Sequence, residues 1–370
     1  METAVLEISS KQLKTLDAVS GNFKRVDLSK NQFEKIPDWI LTLPELRSLD
    51  FHSNRLKSIE FEGLFSKEVK EIQLQNNCLR NLNFDILSTV CRQLRLLNIG
   101  SNEIDCYFED ISLLCESIQY LLLSNNIVRG CLPEMRIFSK LVVINASHNS
   151  LEGFLPIDLF SSPVIEQIWL SHNFFTGSLP EIPKINKITH ISLENNELSG
   201  PIPDSWRNAT LLSQFWLDHN QINGSLPDFS NWSQLTCFGV GSNKLEGVIP
   251  ASIRTCQKLR YFWANHNSFQ QFSLTPFLEL PFLWGFTLFD SKYATTSESM
   301  FAVSIHTGFE TERETSAFIE FTKAFGELAT GTVPKRINLT DHPPRKMMIK
   351  RLSDSINVMV KTASKSSVDD

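Results

Sequence analysis

Four histidines at matching points of the chain are the first residues to consider for chemistry. Each precedes an asparagine, and they follow one another at spacings of 24, 47 and 47 residues: His148, His172, His219 and His266. A column of imidazoles could ligate a metal or respond to pH. Only His148 and His172 are one interval apart, and two histidines without a third ligand make a poor zinc site. We therefore expect no metal and no cofactor.

No arrangement of residues typical of catalysis is present in the sequence. It contains no phosphate-binding loop, no nucleophile elbow, no H-E-x-x-H pair and no kinase signature. Isolated serine, histidine and aspartate side chains on an open surface do not exclude water as catalysis requires. We therefore expect a protein that is not an enzyme.

A ladder of asparagines predicts the elements that position the chemically interesting residues. Its eleven members recur at intervals of 23 to 25 residues: Asn31, Asn54, Asn77, Asn102, Asn126, Asn149, Asn173, Asn196, Asn220, Asn243 and Asn267. Each closes a frame of the form L-x-x-L-x-L-x-x-N-x-L, as between Ile188 and Leu198. A period of this length marks one supersecondary unit stacked on copies of itself, so a solenoid is predicted.

Each frame predicts one short strand. Apolar residues two apart, such as Ile191 and Leu193, share one side of an extended segment because successive side chains alternate. A single repeat cannot bury its own apolar side, so about twelve repeats are expected to stack their strands into a parallel sheet. The asparagine amide at each strand end can donate to and accept from buried backbone groups that would otherwise lack partners.

The frame resembles that of the leucine-rich repeat family over residues 23–290. Six consecutive repeats add a G-x-[LI]-P element, the first at Gly130 and the last at Gly247. Glycine permits unusual backbone angles and proline favours an extended residue before it, so these repeats are each expected to gain a second strand. The element resembles the plant-specific class of these repeats, typical of receptor-like kinase ectodomains and of inhibitors of wall-degrading enzymes. Repeats before Asn126 resemble the shorter, commoner class.

The resemblance implies an α/β leucine-rich repeat horseshoe or superhelix whose parallel sheet forms the concave face. In the frame L1-x2-x3-L4-x5-L6-x7-x8-N9, side chains at x3, x5 and x7 point away from the core, and x8 lies at the edge. Trp169, Trp216 and Trp263 occupy x5 on alternate repeats. Two strand spacings would separate neighbouring indoles by about 10 Å, and the small residues Ser192 and Gly239 would leave slots between them.

The predicted ligand-binding residues are aromatic, acidic and imidazole side chains of this concave face: Trp169, Trp216, Trp263, Tyr261, Asp218, Glu194, His172, His219 and His266. Interface hot spots are enriched in tryptophan. The alternative is that the indoles stack over neighbouring residues and stiffen the sheet. We predict a non-enzymatic scaffold that recognises a protein or an extended peptide. The resemblance implies the alternative of an extracellular receptor-like or inhibitor-like ectodomain that binds peptide or polysaccharide.

Composition limits the partners and the location. The net charge of −6 has mixed signs, without the clustered Lys and Arg of a nucleic-acid surface. The first residues lack the basic and then apolar pattern of a secretory leader, so we expect a cytoplasmic monomer. A secreted or cell-surface location is the alternative if the amino terminus is truncated.

Three of the seven cysteines share one phase of the repeat. Cys91, Cys115 and Cys256 each precede a repeat's first apolar residue by three, so we expect small, buried, reduced side chains on the convex side. Pairing of Cys91 with Cys115 on the adjacent repeat is the alternative for a secreted protein.

The chain is predicted to have four parts. Residues 1–22 form an N-terminal half-repeat cap and residues 23–291 the solenoid. Residues 292–332 lose the period and predict a strand and a helix, either as a C-terminal cap or as part of a separate small domain. Residues 333–370 predict a basic amphipathic helix and a disordered tail. Such a helix packs on its own domain more often than it binds a membrane surface, so membrane contact is the lesser alternative.

Overall fold

Residues 5–61, 66–271, 275–283 and 285–287 are described by a computed structural model. Their largest element, the first sheet, has thirteen parallel strands in chain order, each beside the strand of the next repeat. The strands are Val5–Glu7, Arg25–Asp27, Ser48–Asp50, Glu71–Gln73, Leu96–Asn98, Tyr120–Leu122, Val143–Asn145, Gln167–Trp169, His190–Ser192, Gln214–Trp216, Cys237–Gly239, Tyr261–Trp263 and Gly285–Thr287. The predicted repeat solenoid is confirmed. The predicted cap, helix and tail at 292–370 lie outside the described residues.

The register of the first sheet is the same from one repeat to the next. Ile168 pairs with Ile191, which pairs with Phe215, and all three side chains are fully buried. Burying one such side chain contributes about 1.5–3 kcal/mol. Because the buried residue is the middle one of each strand, its two neighbours face the other side of the sheet.

The ladder asparagines repeat one set of hydrogen bonds in all eleven frames. At Asn196, Oδ1 accepts the backbone N–H of Phe175 at 3.0 Å. Its Nδ2 donates to the carbonyls of Leu170 at 3.1 Å and Leu193 at 3.0 Å. Phe175 and Leu170 belong to the preceding repeat and Leu193 to the same repeat. Each asparagine therefore joins two consecutive repeats.

A second sheet contains eight parallel strands, two more than the sequence predicted. They are Asp105–Tyr107, Ile127–Cys131, Ser150–Phe154, Phe174–Gly177, Glu197–Gly200, Gln221–Gly224, Lys244–Val248 and Ser268–Gln271. The two unpredicted strands are the edges of the sheet, and each pairs with a strand that carries the glycine motif. The strand Asp105–Tyr107 lies in a repeat before Asn126, which resembles the shorter class and carries no glycine motif to mark a second strand.

Backbone conformation and crowding explain the glycine in the six motif strands, and the first and last strands of the sheet lack it. All six motif glycines have a left-handed φ, and at Gly177 it is 80°. A Cβ added at Gly177 would lie 2.5 Å from Cδ1 of Phe154 in the preceding repeat. The strand Asp105–Tyr107 has no earlier strand beside it in this sheet. No preceding side chain therefore demands a glycine there.

Short helices connect the strands. The α-helices are Asp38–Leu41, Phe84–Val90, Phe108–Ile111, Ile157–Phe160 and Thr275–Leu278, and the 3-10 helices are Ser112–Leu114, Met135–Ile137, Asp204–Asn208 and Ala251–Thr255. Within the described ranges, no helix combines the length and apolar character needed to cross a bilayer.

An aromatic core supports the later strands of the first sheet. Trp206 stacks on Phe215 with ring centroids 4.9 Å apart, and the fully buried Trp232 packs edge-on against Phe215 at 5.6 Å. The buried indole N–H groups are paired, since Trp206 donates to the Pro180 carbonyl and Trp232 to the Trp206 carbonyl, each at 3.0 Å. This packing fixes the strand that ends at Trp216.

All seven cysteines are free thiols. Cys91 and Cys256 are buried in the core, and burial raises the pKa of each thiol to about 12. Cys115 is half-buried, and burial also raises its pKa. Reagents in solution therefore reach the seven thiols to very different extents.

A thiol-reactive reagent should label Cys78 and Cys131 first, because these two side chains are exposed and the thiolate is the reacting species. We expect two rapidly labelled thiols in the native protein and all seven after unfolding in urea. Mass spectrometry of the digested protein identifies the sites. Rapid native labelling of Cys91 or Cys256 would contradict their burial.

Candidate functional site

The predicted tryptophans lie on the side of the first sheet that faces away from the core, which we call the solvent face. Trp169, Trp216 and Trp263 each end a strand of the first sheet and are half-buried. The residue before each of them is fully buried on the core side. The alternation of side chains within each strand thus orients the indoles as x5 residues.

The two later indoles are much closer together than expected. The ring centroids of Trp216 and Trp263 lie 5.2 Å apart at an interplanar angle of 50°. The strand between them ends at Gly239, where an added Cβ would lie 2.5 Å from Cε3 of Trp216. The predicted slot of about 10 Å is therefore wrong here. Because glycine has no side chain, the Trp216 ring lies over it and closes the gap to Trp263.

Trp169 has different surroundings. Its ring stacks on that of His190 on the next strand, with centroids 5.7 Å apart, and its Nε1 donates to Gln167 Oε1 at 3.3 Å. Ser192, which follows it in the x5 column, is buried and donates to Glu194 Oε2 at 2.8 Å. The packing on His190 matches the alternative in which an indole stiffens the sheet.

A depression of about 520 Å³ opens beside the paired indoles on the solvent face. We call it the indole depression, and the residues that line it are Glu194, Trp216, Asp218, His219, Gly241, Trp263 and Asn265. Five of these seven residues were predicted from the sequence. The structure therefore brings together the later tryptophans, both predicted carboxylates and one predicted histidine.

Asp218 is the electrostatically unusual group of the indole depression. Its Oδ1 accepts the backbone N–H of Gly241 at 2.7 Å, and its Oδ2 lies over Gly239, 2.1 Å from where a Cβ would be. Burial against these residues, with a smaller contribution from the negative charge of Glu194, raises the pKa of Asp218 to about 7. This carboxyl therefore titrates near neutral pH.

The remaining predicted residues lie around the indole depression or apart from it. Tyr261 is half-buried, with its ring centroid 5.9 Å from that of Trp263. His266 is exposed. His172 is exposed and stacks on His148, with ring centroids 3.9 Å apart and planes at 14°. Trp169 and His172 do not line the depression.

The x8 histidines occupy a corner with special backbone geometry. His148, His172, His219 and His266 have φ between 53° and 55°, as do the serines and asparagines at the same position to within a few degrees. Histidine and asparagine are enriched among the few side chains that tolerate left-handed angles. The histidine column therefore reflects backbone conformation. Within the part of the chain that the structure describes, no group of three His, Cys, Asp or Glu residues is placed to hold a metal.

Two residues that line the indole depression, Gly241 and Asn265, were missed from the sequence, and Gly239 of the same repeat as Gly241 was expected only to leave a slot. Gly239 and Gly241 belong to the one repeat of the ladder with glycine at both x5 and x7. A Cβ at Gly241 would lie 2.8 Å from Oδ1 of Asp218 and 2.8 Å from Oδ1 of Asn265. The paired glycines were the available signal, because they leave the central repeat without side chains to fill the space.

Comparisons with known proteins agree with the repeat frame. A family model described as Leucine Rich Repeat matches residues 187–209. The Caenorhabditis elegans protein "Leucine-rich repeat serine/threonine-protein kinase 1" is 30% identical over 95 residues, which is 25% of this chain and 4% of that protein. This match concerns only a small part of either sequence.

Solved structures match a larger share of the chain. The structure of PEPR1-AtPEP1 has a TM-score of 0.66 and 25% identity, covering 73% of this chain and 38% of that one. The Arabidopsis receptor kinase HAESA, solved with the peptide hormone IDA and the co-receptor SERK1, has a TM-score of 0.57 and 26% identity, covering 72% and 50%. This chain spans half or less of both solved chains.

Proposed function

We infer that the chain is a leucine-rich repeat protein that resembles the plant-type class, and we propose that it is a non-enzymatic scaffold that binds a protein or an extended peptide. The proposed contact surface is the solvent face of the first sheet between His190 and Trp263, which we take as the concave face of the solenoid. The observation that carries the proposal is the indole depression, where two half-buried indoles and two carboxylates meet.

The chemistry of the indole depression favours recognition. Tryptophan supplies a large contact area with few rotatable bonds, and binding hot spots are enriched in it. The parallel strands hold successive binding residues at a fixed spacing of roughly 4.8 Å, which suits an extended ligand that crosses several repeats. A rigid sheet also lowers the entropic cost of ordering the site on binding.

The structural likeness to HAESA adds support for a peptide or protein ligand, because that receptor kinase was solved with a peptide hormone and a co-receptor. The shared part is the repeat scaffold. We do not transfer HAESA's ligand, since recognition lies in a few variable side chains placed on the scaffold.

We propose a cytoplasmic location for the scaffold, since it carries seven free thiols, two of them exposed. The likeness to a receptor kinase favours the alternative of an extracellular ectodomain that binds peptide or polysaccharide. Sequencing the transcript upstream of Met1 separates the two locations. An in-frame secretory leader would contradict the cytoplasmic proposal.

Replacing Trp216 and Trp263 together with alanine should reduce recovery of the bound partner at least about 10-fold, because the two largest apolar surfaces of the site would be lost. Affinity purification from the source tissue, followed by quantitative mass spectrometry, measures this recovery. The partner is identified by its dependence on the two indoles.

Phe154→Ala is the matched control, because Phe154 is an aromatic side chain that is 73% exposed on the second sheet. It should leave partner recovery unchanged. Partners retained by the double variant and lost by Phe154→Ala would move the binding surface to the second sheet and refute the proposal.

A further inference from the structure

The indole depression contains two acidic side chains, and His219 is the one basic side chain among its described lining residues. Its lining includes Glu194 and Asp218 and, among the described residues, neither lysine nor arginine. Both carboxylates occupy x7, on adjacent strands that lie roughly 4.8 Å apart. A site with this charge disfavours an anionic ligand and favours a cationic one.

Hydrogen bonds within the protein orient both carboxylates, and Asp218 also accepts from its own backbone N–H. Oδ1 of Asp218 accepts the Gly241 N–H at 2.7 Å, and Oε2 of Glu194 accepts the Ser192 hydroxyl at 2.8 Å. No other described residue donates a hydrogen bond to Asp218 Oδ2 or Glu194 Oε1. The structure thus fixes the orientation of both groups and leaves two acceptors for a ligand.

The indoles complete a site for a planar cation. Trp216 and Trp263 line the same depression with ring centroids 5.2 Å apart, and the Trp216 ring lies over Gly239. A guanidinium group can stack on an indole while its N–H groups donate in plane to carboxylates. An ammonium group lacks this planar shape.

On these observations, and resting on the proposed function, we propose that the scaffold recognises an arginine side chain of an extended peptide in the indole depression. The guanidinium donates to Asp218 and Glu194 and lies against the indoles of Trp216 and Trp263. Arginine is the specificity-determining residue of the ligand, and contacts to other repeats add affinity without the same selectivity.

The titration of Asp218 supports this assignment. The groups that face its carboxyl are Glu194 on one neighbouring repeat, the Gly241 N–H and Asn265 on the other side, and His219 and Trp216 on its own repeat. Burial raises its pKa to about 7. A bound guanidinium stabilises the carboxylate and lowers that pKa. Arginine affinity is therefore expected to fall as the pH drops from 8 to 6.

Two peptides that differ only in charge test the proposal on the unmodified protein. The probes are acetyl-Gly-Ala-Arg-Ala-Gly-amide and the same peptide with citrulline, which has nearly the shape of arginine but is neutral. Titration at pH 8, followed by tryptophan fluorescence, should show saturable binding of the arginine peptide and at least about 10-fold weaker binding of the citrulline peptide. Equal binding of the two peptides, or no saturable binding of either, overturns the proposal.

Variants locate the binding to the indole depression. Asp218→Asn and Glu194→Gln should each abolish the preference for arginine over citrulline. Glu152→Gln is the control, because Glu152 is an exposed carboxylate on the second sheet and its loss changes the net charge equally. A preference that survives both depression variants places the cation elsewhere and overturns the proposal.

The outcomes for arginine recognition and for the proposed scaffold are separable. Equal binding of the arginine and citrulline peptides, with partner capture still lost in the Trp216 and Trp263 double variant, would refute arginine recognition alone. Unchanged partner capture by that double variant would refute the proposed binding surface itself.

Discussion

Replacing Asn196 with alanine should lower the free energy of unfolding by about 3 kcal/mol, because several buried backbone groups would lose their partners. The Asn196 side chain holds the Phe175 N–H at 3.0 Å and the Leu170 and Leu193 carbonyls at 3.1 and 3.0 Å. The site is 9% exposed, so water cannot readily replace the amide. Urea unfolding followed by circular dichroism measures the change.

Asn223→Ala is the control for this experiment. Asn223 is an exposed residue of the second-sheet strand Gln221–Gly224. A substitution at such a surface position changes stability by less than about 0.5 kcal/mol. Similar midpoints for Asn196→Ala and Asn223→Ala would show that the ladder amides contribute little.

Replacing Asp218 with asparagine should stabilise the protein, and the stabilisation should be larger at pH 8 than at pH 5. The Asp218 carboxyl has its pKa raised from 3.8 to about 7, chiefly by burial. Between these values the folded state holds a proton that the unfolded state has released. The free energy of unfolding of the native sequence therefore falls as the pH rises from about 4 to about 7, by on the order of 3 kcal/mol. Asparagine resembles the protonated acid and does not titrate.

The measurement is the difference in unfolding free energy between Asp218→Asn and the native protein at pH 5 and pH 8. Taking the difference cancels other titrating groups, including His190, whose pKa is lowered by burial. Glu194→Gln is the matched control, since it removes the neighbouring charge but keeps the Asp218 carboxyl. It should shift the pH dependence to lower pH and retain it. A difference that is the same at both pH values would contradict the raised pKa.

The fold was predictable because its information is repeated. Any one frame, such as that of Asn196, is weak evidence, but its recurrence fixes the strand, the register and the stacking direction together. The second sheet was predicted less completely. The glycine motif marks only the six inner strands, so the two edge strands Asp105–Tyr107 and Ser268–Gln271, which carry no motif, were not predicted.

The sequence predicted which residues form the site, but it did not predict how their side chains are arranged. The frame placed Trp216, Trp263, Asp218 and Glu194 on one face of the sheet. The approach of the two indoles to 5.2 Å depends on the direction in which each ring leans. The spacing of the x5 residues from one repeat to the next contains no information about side-chain rotamers. The high pKa of Asp218 was also hidden, because it arises from burial by residues on three different repeats.

The ladder amides give the stack a polarity along the chain. Asn267 pairs the Leu245 N–H and the Val240 carbonyl of the coil before its own. The buried backbone groups of each repeat thus receive these hydrogen bonds only from the asparagine of the next repeat. As far as the asparagine bonds are concerned, removing a repeat from the carboxyl end leaves main-chain groups of the preceding repeat without partners, whereas removing one from the amino end leaves only the asparagine side chain without them. During synthesis, the buried backbone groups of each new repeat therefore lack these hydrogen bonds until the asparagine of the next repeat has left the ribosome.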